Sequence, residues 1–202
     1  MTGVVRTWIA GALLCVIVLS MATSATASSV WLTTPAEGNE GPWAGMALTV
    51  TKPNVSYSLG LDVVCTLPKG TVRITGARPY GVMNDLRVVA FGTRPDTATR
   101  GTSRMGSSTE PLAALGFDTT SPTVGTACAR TMADGRPENF TEFAVQLQRP
   151  TDQSASAEGI LVDYIHGQTK GTLDFKIEIG LCGKDRPPRS MSSEESDPPC
   201  AR

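Results

Sequence analysis

Apolar and polar residues alternate most regularly over residues 172–181. Leu173, Phe175, Ile177, Ile179 and Leu181 are separated by Asp174, Lys176, Glu178 and Gly180. A period of two puts five apolar side chains on one face of an extended strand, whereas a helix would scatter them around its circumference. Residues 141–148 repeat the pattern, with Phe143, Val145 and Leu147 opposed to Glu142, Gln146 and Gln148. So do residues 159–165, where Ile160, Val162 and Tyr164 oppose Leu161 and Asp163. The segment 166–171, between residues 159–165 and 172–181, predicts a hairpin loop. Upstream, residues 55–65 predict a long strand, residues 67–70 (Leu-Pro-Lys-Gly) a turn, and residues 71–75 a strand with Val72 and Ile74 on one face. Residues 86–92 and 124–128 add apolar runs, and residues 46–51 predict an edge strand before Pro53. The one helix the pattern predicts is brief, at 111–115. Seven or eight short strands at this spacing predict an all-β fold, an antiparallel β-sandwich that is immunoglobulin-like in general architecture.

The N-terminus follows a different pattern. Arg6 precedes an unbroken apolar run from Trp8 to Leu19, and small residues follow to Ala27. This is the layout of a secretory signal peptide, and Ala25-Thr26-Ala27 predicts cleavage after Ala27. The alternative is an uncleaved helix that tethers the domain to a membrane, since residues 8–27 are long enough to span one. The expected layout is therefore a signal peptide at 1–27, an N-terminal extension at 28–54, the sandwich at 55–182 and a disordered Pro/Ser-rich tail at 183–202. Export brings an oxidising compartment, and without Cys15 an even set remains: Cys65, Cys128, Cys182 and Cys200. Structural disulfides are expected. Three pairings are open, with Cys200 in the tail the expected odd one out, free or intermolecular.

The chain has 202 residues and a formal net charge of −1. That balance excludes a nucleic-acid binder built on bulk basicity. Its distribution is uneven. From Lys69 to Arg104 seven basic residues meet two acidic ones, a surplus of five, and the rest of the chain is acidic. Such a region could face an anionic envelope component, or its charges could be paired across neighbouring strands. Catalytic patterns are missing. His166 is the only histidine and falls in the expected hairpin loop. No nucleophile elbow, phosphate loop, calcium loop or metal-ligand spacing occurs, so neither a cofactor nor a metal is expected. Carboxylates alone can hydrolyse glycosides, and Asp62, Asp85, Asp163, Asp174 and Glu178 lie on or near strands. Asp174 and Glu178, four residues apart on one strand, would stand about 13 Å apart, too far to cooperate. Asn54 and Asn139 head N-x-S/T triplets, which matter only in a eukaryotic secretory route.

The segments YSLGLDVVC, GTVRITGARP, LRVVAFGTRP, FAVQLQRP, EGILVDYI and GTLDFKIEIGLC, in that order, resemble a group of small exported proteins of high-GC Gram-positive bacteria. The resemblance spans about residues 55–182 and implies an exported, cysteine-bearing β domain. The group has no established activity, so the resemblance implies no functional residues. Three functional expectations follow from the whole. The first is a non-catalytic binding or structural module of the envelope or extracellular space, whose partner is an anionic envelope component or another envelope protein. Its expected contacts are Trp43 in the Gly/Pro-rich segment 33–45 and Arg94, Arg100 and Arg104 in the loop 93–109. The second is a carboxylate-dependent hydrolase of an envelope polymer. The third is the membrane-tethered domain.

Overall fold

A computed structural model describes residues 29–34, 45–96, 106–128, 140–184 and Cys200. Trp43, Arg100, Arg104 and Asn139 lie outside the described residues. Twelve strands follow in order: β1 (Trp31–Thr33), β2 (Met46–Leu48), β3 (Ser56–Leu67), β4 (Val72–Tyr80), β5 (Arg87–Asp96) and β6 (Ser107–Ser108), then β7 (Thr123–Val124), β8 (Phe140–Gln148), β9 (Ala155–Ala157), β10 (Gly159–His166), β11 (Thr169–Phe175) and β12 (Ile179–Leu181). The fold is an all-β sandwich. The first sheet runs β1-β3-β8-β5 with β6 added to β3, and the second runs β11-β10-β4-β7. A small third sheet, β2-β12-β9, contains a parallel strand pair, β2 with β12. The short elements β1, β6 and β9, and the division of residues 172–181 into β11 and β12, raise the strand count above the seven or eight expected.

The strands form because their apolar faces have somewhere to go. Leu59, Leu61, Val64, Phe143, Val145 and Leu147 come from the first sheet, and Val72, Ile74, Ile160, Val162, Tyr164 and Phe175 from the second. Ala155, Ala157, Ile179 and Leu181 of the third sheet join the same cluster. The rings of Phe143 and Phe175 stack across it at 5.6 Å between centroids. Three bulges keep the apolar residues on this side. Register shifts at Leu61, Thr75 and Val89 each insert one residue into a strand. Leu61 and Val64, Ile74 and Ala77, and Val88 and Phe91 are each three residues apart, yet all six pack on the core. Strict alternation would send one of each pair outward, and the extra residue corrects the phase.

The alternating run 172–181 is not one strand. It breaks after Phe175, where the Ile177 N–H donates to the Phe175 carbonyl at 2.9 Å. β11 then belongs to the second sheet and β12 to the third. The apolar face survives, since Phe175, Ile179 and Leu181 are buried and Leu173 and Ile177 pack against them. The expected loop at 166–171 is a two-residue turn, because His166 already pairs with Thr169. Gly167 takes the first turn position at φ 57°, where a left-handed residue is required.

The predicted helix at 111–115 is a single turn, closed by Ala114 N–H to Pro111 O and Phe117 N–H to Leu112 O. It belongs to a strap, residues 106–118, that crosses the outer face of the first sheet. β6 pairs with β3 at one edge, and Asp118 bridges Thr93 of β5 at the other. Leu112 and Phe117 cover Ala144 of β8 in a second, smaller cluster, and Ala90 and Leu115 pack on it. Gly92 makes the close approach feasible, because a Cβ there would meet the Asp118 carbonyl oxygen at 2.9 Å. From Asp118 the chain passes to the second sheet through β7. It then returns to β3, where the Thr66 N–H donates to Thr126 O and the Cys128 N–H to Thr66 O.

Candidate binding face

Two disulfides close the structure: Cys65 with Cys128 and Cys182 with Cys200. The second corrects the expectation for Cys200, which is buried and intramolecularly paired. Cys65–Cys128 fixes the returning strap to β3.

Arg94 was expected on a binding loop. It lies instead within β5, where its guanidinium pairs with Glu142 of β8 at 2.7 Å. It also donates to the Leu115 carbonyl at 2.8 Å and sits 4.5 Å over the Phe117 ring. All three partners tie the strap to the sheet, so Arg94 is a clamp for the covered face. Glu142, predicted to face solvent, is buried for the same reason. Two other basic residues are also paired, Arg78 with Asp163 and Arg87 with Asp85. Of the segment's seven cations these three are paired, while Lys69 and Arg73 enter no ion pair among the described residues. His166 Nδ1 lies 2.8 Å from the Thr71 carbonyl oxygen, anchoring the hairpin end to the start of β4.

The sequence pattern gives no sign of Arg149. Its side chain is buried and donates to Thr51 Oγ1 at 2.7 Å, to Gln153 O at 3.3 Å, and to Thr51 O and Thr151 O. Thr51 Oγ1 passes the interaction on to Cys182 O at 2.9 Å. This node joins three chain segments beside a disulfide. An Arg-Pro pair at a strand end reads in sequence as an ordinary exposed turn.

Among the described residues, nothing covers the outer face of the second sheet. Its outward side chains, among them Arg73, Thr75, Arg78, Ile165, Lys170, Thr172 and Asp174, are exposed or half-exposed. The bulge at Thr75 leaves a shallow depression of about 560 Å³ lined by Thr75, Asp163, Ile165, Lys170 and Thr172. Asp163 is fixed there, accepting from Arg78, from Thr172 Oγ1 at 2.7 Å and, through its carbonyl, from Thr75 Oγ1 at 3.2 Å. Further along the face, burial and then a hydrogen bond with Asp174 push the Tyr80 phenol up to about 12. The sequence singled out Asp163 and Asp174 but not their neighbours, because the row they form depends on register.

Asp174 and Glu178 are separated by the strand break. Glu178 sits above the usual carboxyl range because it is partly buried and because Glu158 is close. Its folded state therefore holds a proton more tightly than the unfolded chain. The resulting stability is present at low pH and is lost as pH rises through the folded-state value. Glu178→Gln should thus melt at a higher temperature than the parent at pH 7, and the two should converge near pH 4 (about the unfolded carboxyl value). A difference that grows as pH falls would contradict this assignment. Asp62 caps the next residue, accepting from the Val63 N–H at 2.7 Å. Among the described residues no group of His, Cys, Asp or Glu is placed to hold a metal ion.

The described residues form a disulfide-linked β-sandwich with one sheet covered by the strap and the other left open. No family model matches the chain, and neither the curated proteins nor the solved structures give a match. Among the described residues, no helix is long and apolar enough to cross a membrane.

Proposed function

We propose that this chain is an exported, non-catalytic binding module that works at the cell envelope or outside the cell through the open face of its second sheet. The observation that carries the reading is the asymmetry of the sandwich. One sheet is roofed by the strap and clamped by Arg94, while the other presents a bulge-shaped depression with fixed polar groups. Loops and open sheet faces on a rigid sandwich are where recognition is placed. The signal-like N-terminus and two disulfides support export, since disulfides persist in oxidising compartments.

Two measurements test it. The intact mass of protein made in its native host should begin at Ser28, with four cysteines open to alkylation only after reduction. The purified protein should co-sediment with envelope material from that host. Thr172→Met, which fills the depression, should weaken that retention about tenfold, the equivalent of about 1.4 kcal/mol. Arg87→Gln, away from the face, should not. A chain that retains residues 1–27, or retention indifferent to Thr172, overturns the reading.

A further inference from the structure

The register places the outward residues of the second sheet in rows. Ile165 on β10 lies opposite Lys170 on β11 and opposite Arg73 on β4. Neighbouring strands are about 4.8 Å apart, so the two cations flank Ile165 with their Cα atoms about 10 Å apart. The next row is Thr172, Asp163 and Gly76, with Thr75 bulged beside it. Asp163 neutralises Arg78. Arg73 and Lys170 are exposed and enter no ion pair among the described residues. Arg78 shares its row with Asp174, so three cations against two carboxylates leave this patch at +1, although the whole chain carries −1.

The neutral groups narrow the ligand further. The hydroxyls of Thr75 and Thr172 donate to Asp163, so their oxygens keep acceptor capacity for a ligand hydroxyl. Ile165 offers an apolar floor between the cations. A site with cations at one end, acceptors beside them and an apolar floor fits a chain that carries phosphate, hydroxyl and CH groups in turn.

We propose that the Arg73–Ile165–Lys170 row and the Thr75–Asp163–Thr172 shelf bind a linear polyanion of polyol or sugar units joined through phosphate. This rests on the open-face reading above and names its ligand class. Arg73 and Lys170 hold phosphate oxygens by charge-assisted hydrogen bonds. Thr75, Thr172 and Asp163 accept from polyol hydroxyls, and Ile165 packs under the carbon chain. A concave depression of about 560 Å³ receives a chain segment, whereas a bilayer presents a plane that cannot enter it.

The test is calorimetric titration of the purified, oxidised protein with poly(glycerol phosphate), with dextran and with phosphatidylglycerol vesicles, at low and moderate salt. Binding to poly(glycerol phosphate) alone is expected. Arg73→Gln with Lys170→Gln should weaken it at least tenfold and lower the salt slope by up to about one unit per cation removed. Arg87→Gln should change neither. Both substitutions are at exposed positions, and the disulfide count and circular dichroism confirm folding. Equal binding to dextran, stronger binding to vesicles, or an unaffected double variant overturns the proposal. Envelope retention that Thr172→Met abolishes, without any binding to poly(glycerol phosphate), overturns the ligand class and leaves the open face as the binding surface. Absence of both overturns both.

Discussion

Arg149→Ala is expected to destabilise the protein by about 3–5 kcal/mol, a large part of the roughly 5–15 kcal/mol that holds a domain of this kind together. Arg149 is only 1% exposed, and the acceptors it serves are Thr51 Oγ1, Thr51 O, Thr151 O and Gln153 O. Removing the guanidinium leaves several oxygens in the interior without donors, at about 1–3 kcal/mol for each that water does not reach. The alkyl stem also leaves a void. The loss spreads, because Thr51 holds Cys182 through both its N–H and its hydroxyl. Arg149→Lys should recover little. A lysine ammonium has three donors around one point and cannot span the fork that reaches both Thr51 and the 151–153 turn. Urea unfolding of the two variants, read as midpoint shifts at constant slope, decides the matter. A cost below about 1 kcal/mol for Arg149→Ala would show the node to be replaceable.

The second large effect is an unequal pair. Cys65 and Cys128 are 63 residues apart in sequence, and Cys182 and Cys200 are 18 apart. A cross-link restricts the unfolded chain more when it closes a longer loop. The loop-entropy relation gives about 4 kcal/mol for the first and about 3 kcal/mol for the second. The first also loses a native attachment when cut, since it pins the returning strap beside the Thr66–Thr126 and Thr66–Cys128 hydrogen bonds. Cys65→Ala/Cys128→Ala should therefore melt well below Cys182→Ala/Cys200→Ala. Double substitutions are needed so that no free thiol remains to exchange. Thermal melts of both variants with the parent provide the check. An inverted order would mean that the Cys182–Cys200 link contributes chiefly through native contacts around the Arg149 node.

The strands were legible because burial of one sheet face leaves a period-two signature. The core residues of β8, β10 and β11 were found on that ground alone. The bulges were written in the sequence too, as apolar residues three apart inside otherwise alternating strands: Leu61 and Val64, Ile74 and Ala77, Val88 and Phe91. The break at Lys176–Glu178 was not legible, because alternation persists through it. Only the presence of β2 and β9 as partners moves β12 into another sheet. The strap was not legible, because the surface that Leu112, Leu115 and Phe117 cover lies on strands far away in sequence. Arg94 and Glu142 changed meaning with it, from an exposed cation and an exposed acid to a buried pair. The candidate face was half legible. Asp163, Asp174 and the basic segment stood out, but the row Arg73, Ile165, Lys170 exists only once three strands are in register.

The central place of β8 in the first sheet decides how the chain reaches its folded state as it is synthesised. β8 pairs with β3 on one side and β5 on the other, with Ser56 opposite Gln148 and Arg87 opposite the same residue. Until residues 140–148 have emerged, β3 and β5 have no common partner, and each presents a bare edge. The domain therefore cannot assemble vectorially from its N-terminus. It must stay open until more than two thirds of the chain has emerged, then close through contacts distant in sequence, a slow topology on the millisecond-to-second scale. A nascent chain stalled before Phe140 would be an aggregation hazard, since β3 and β5 would keep bare edges.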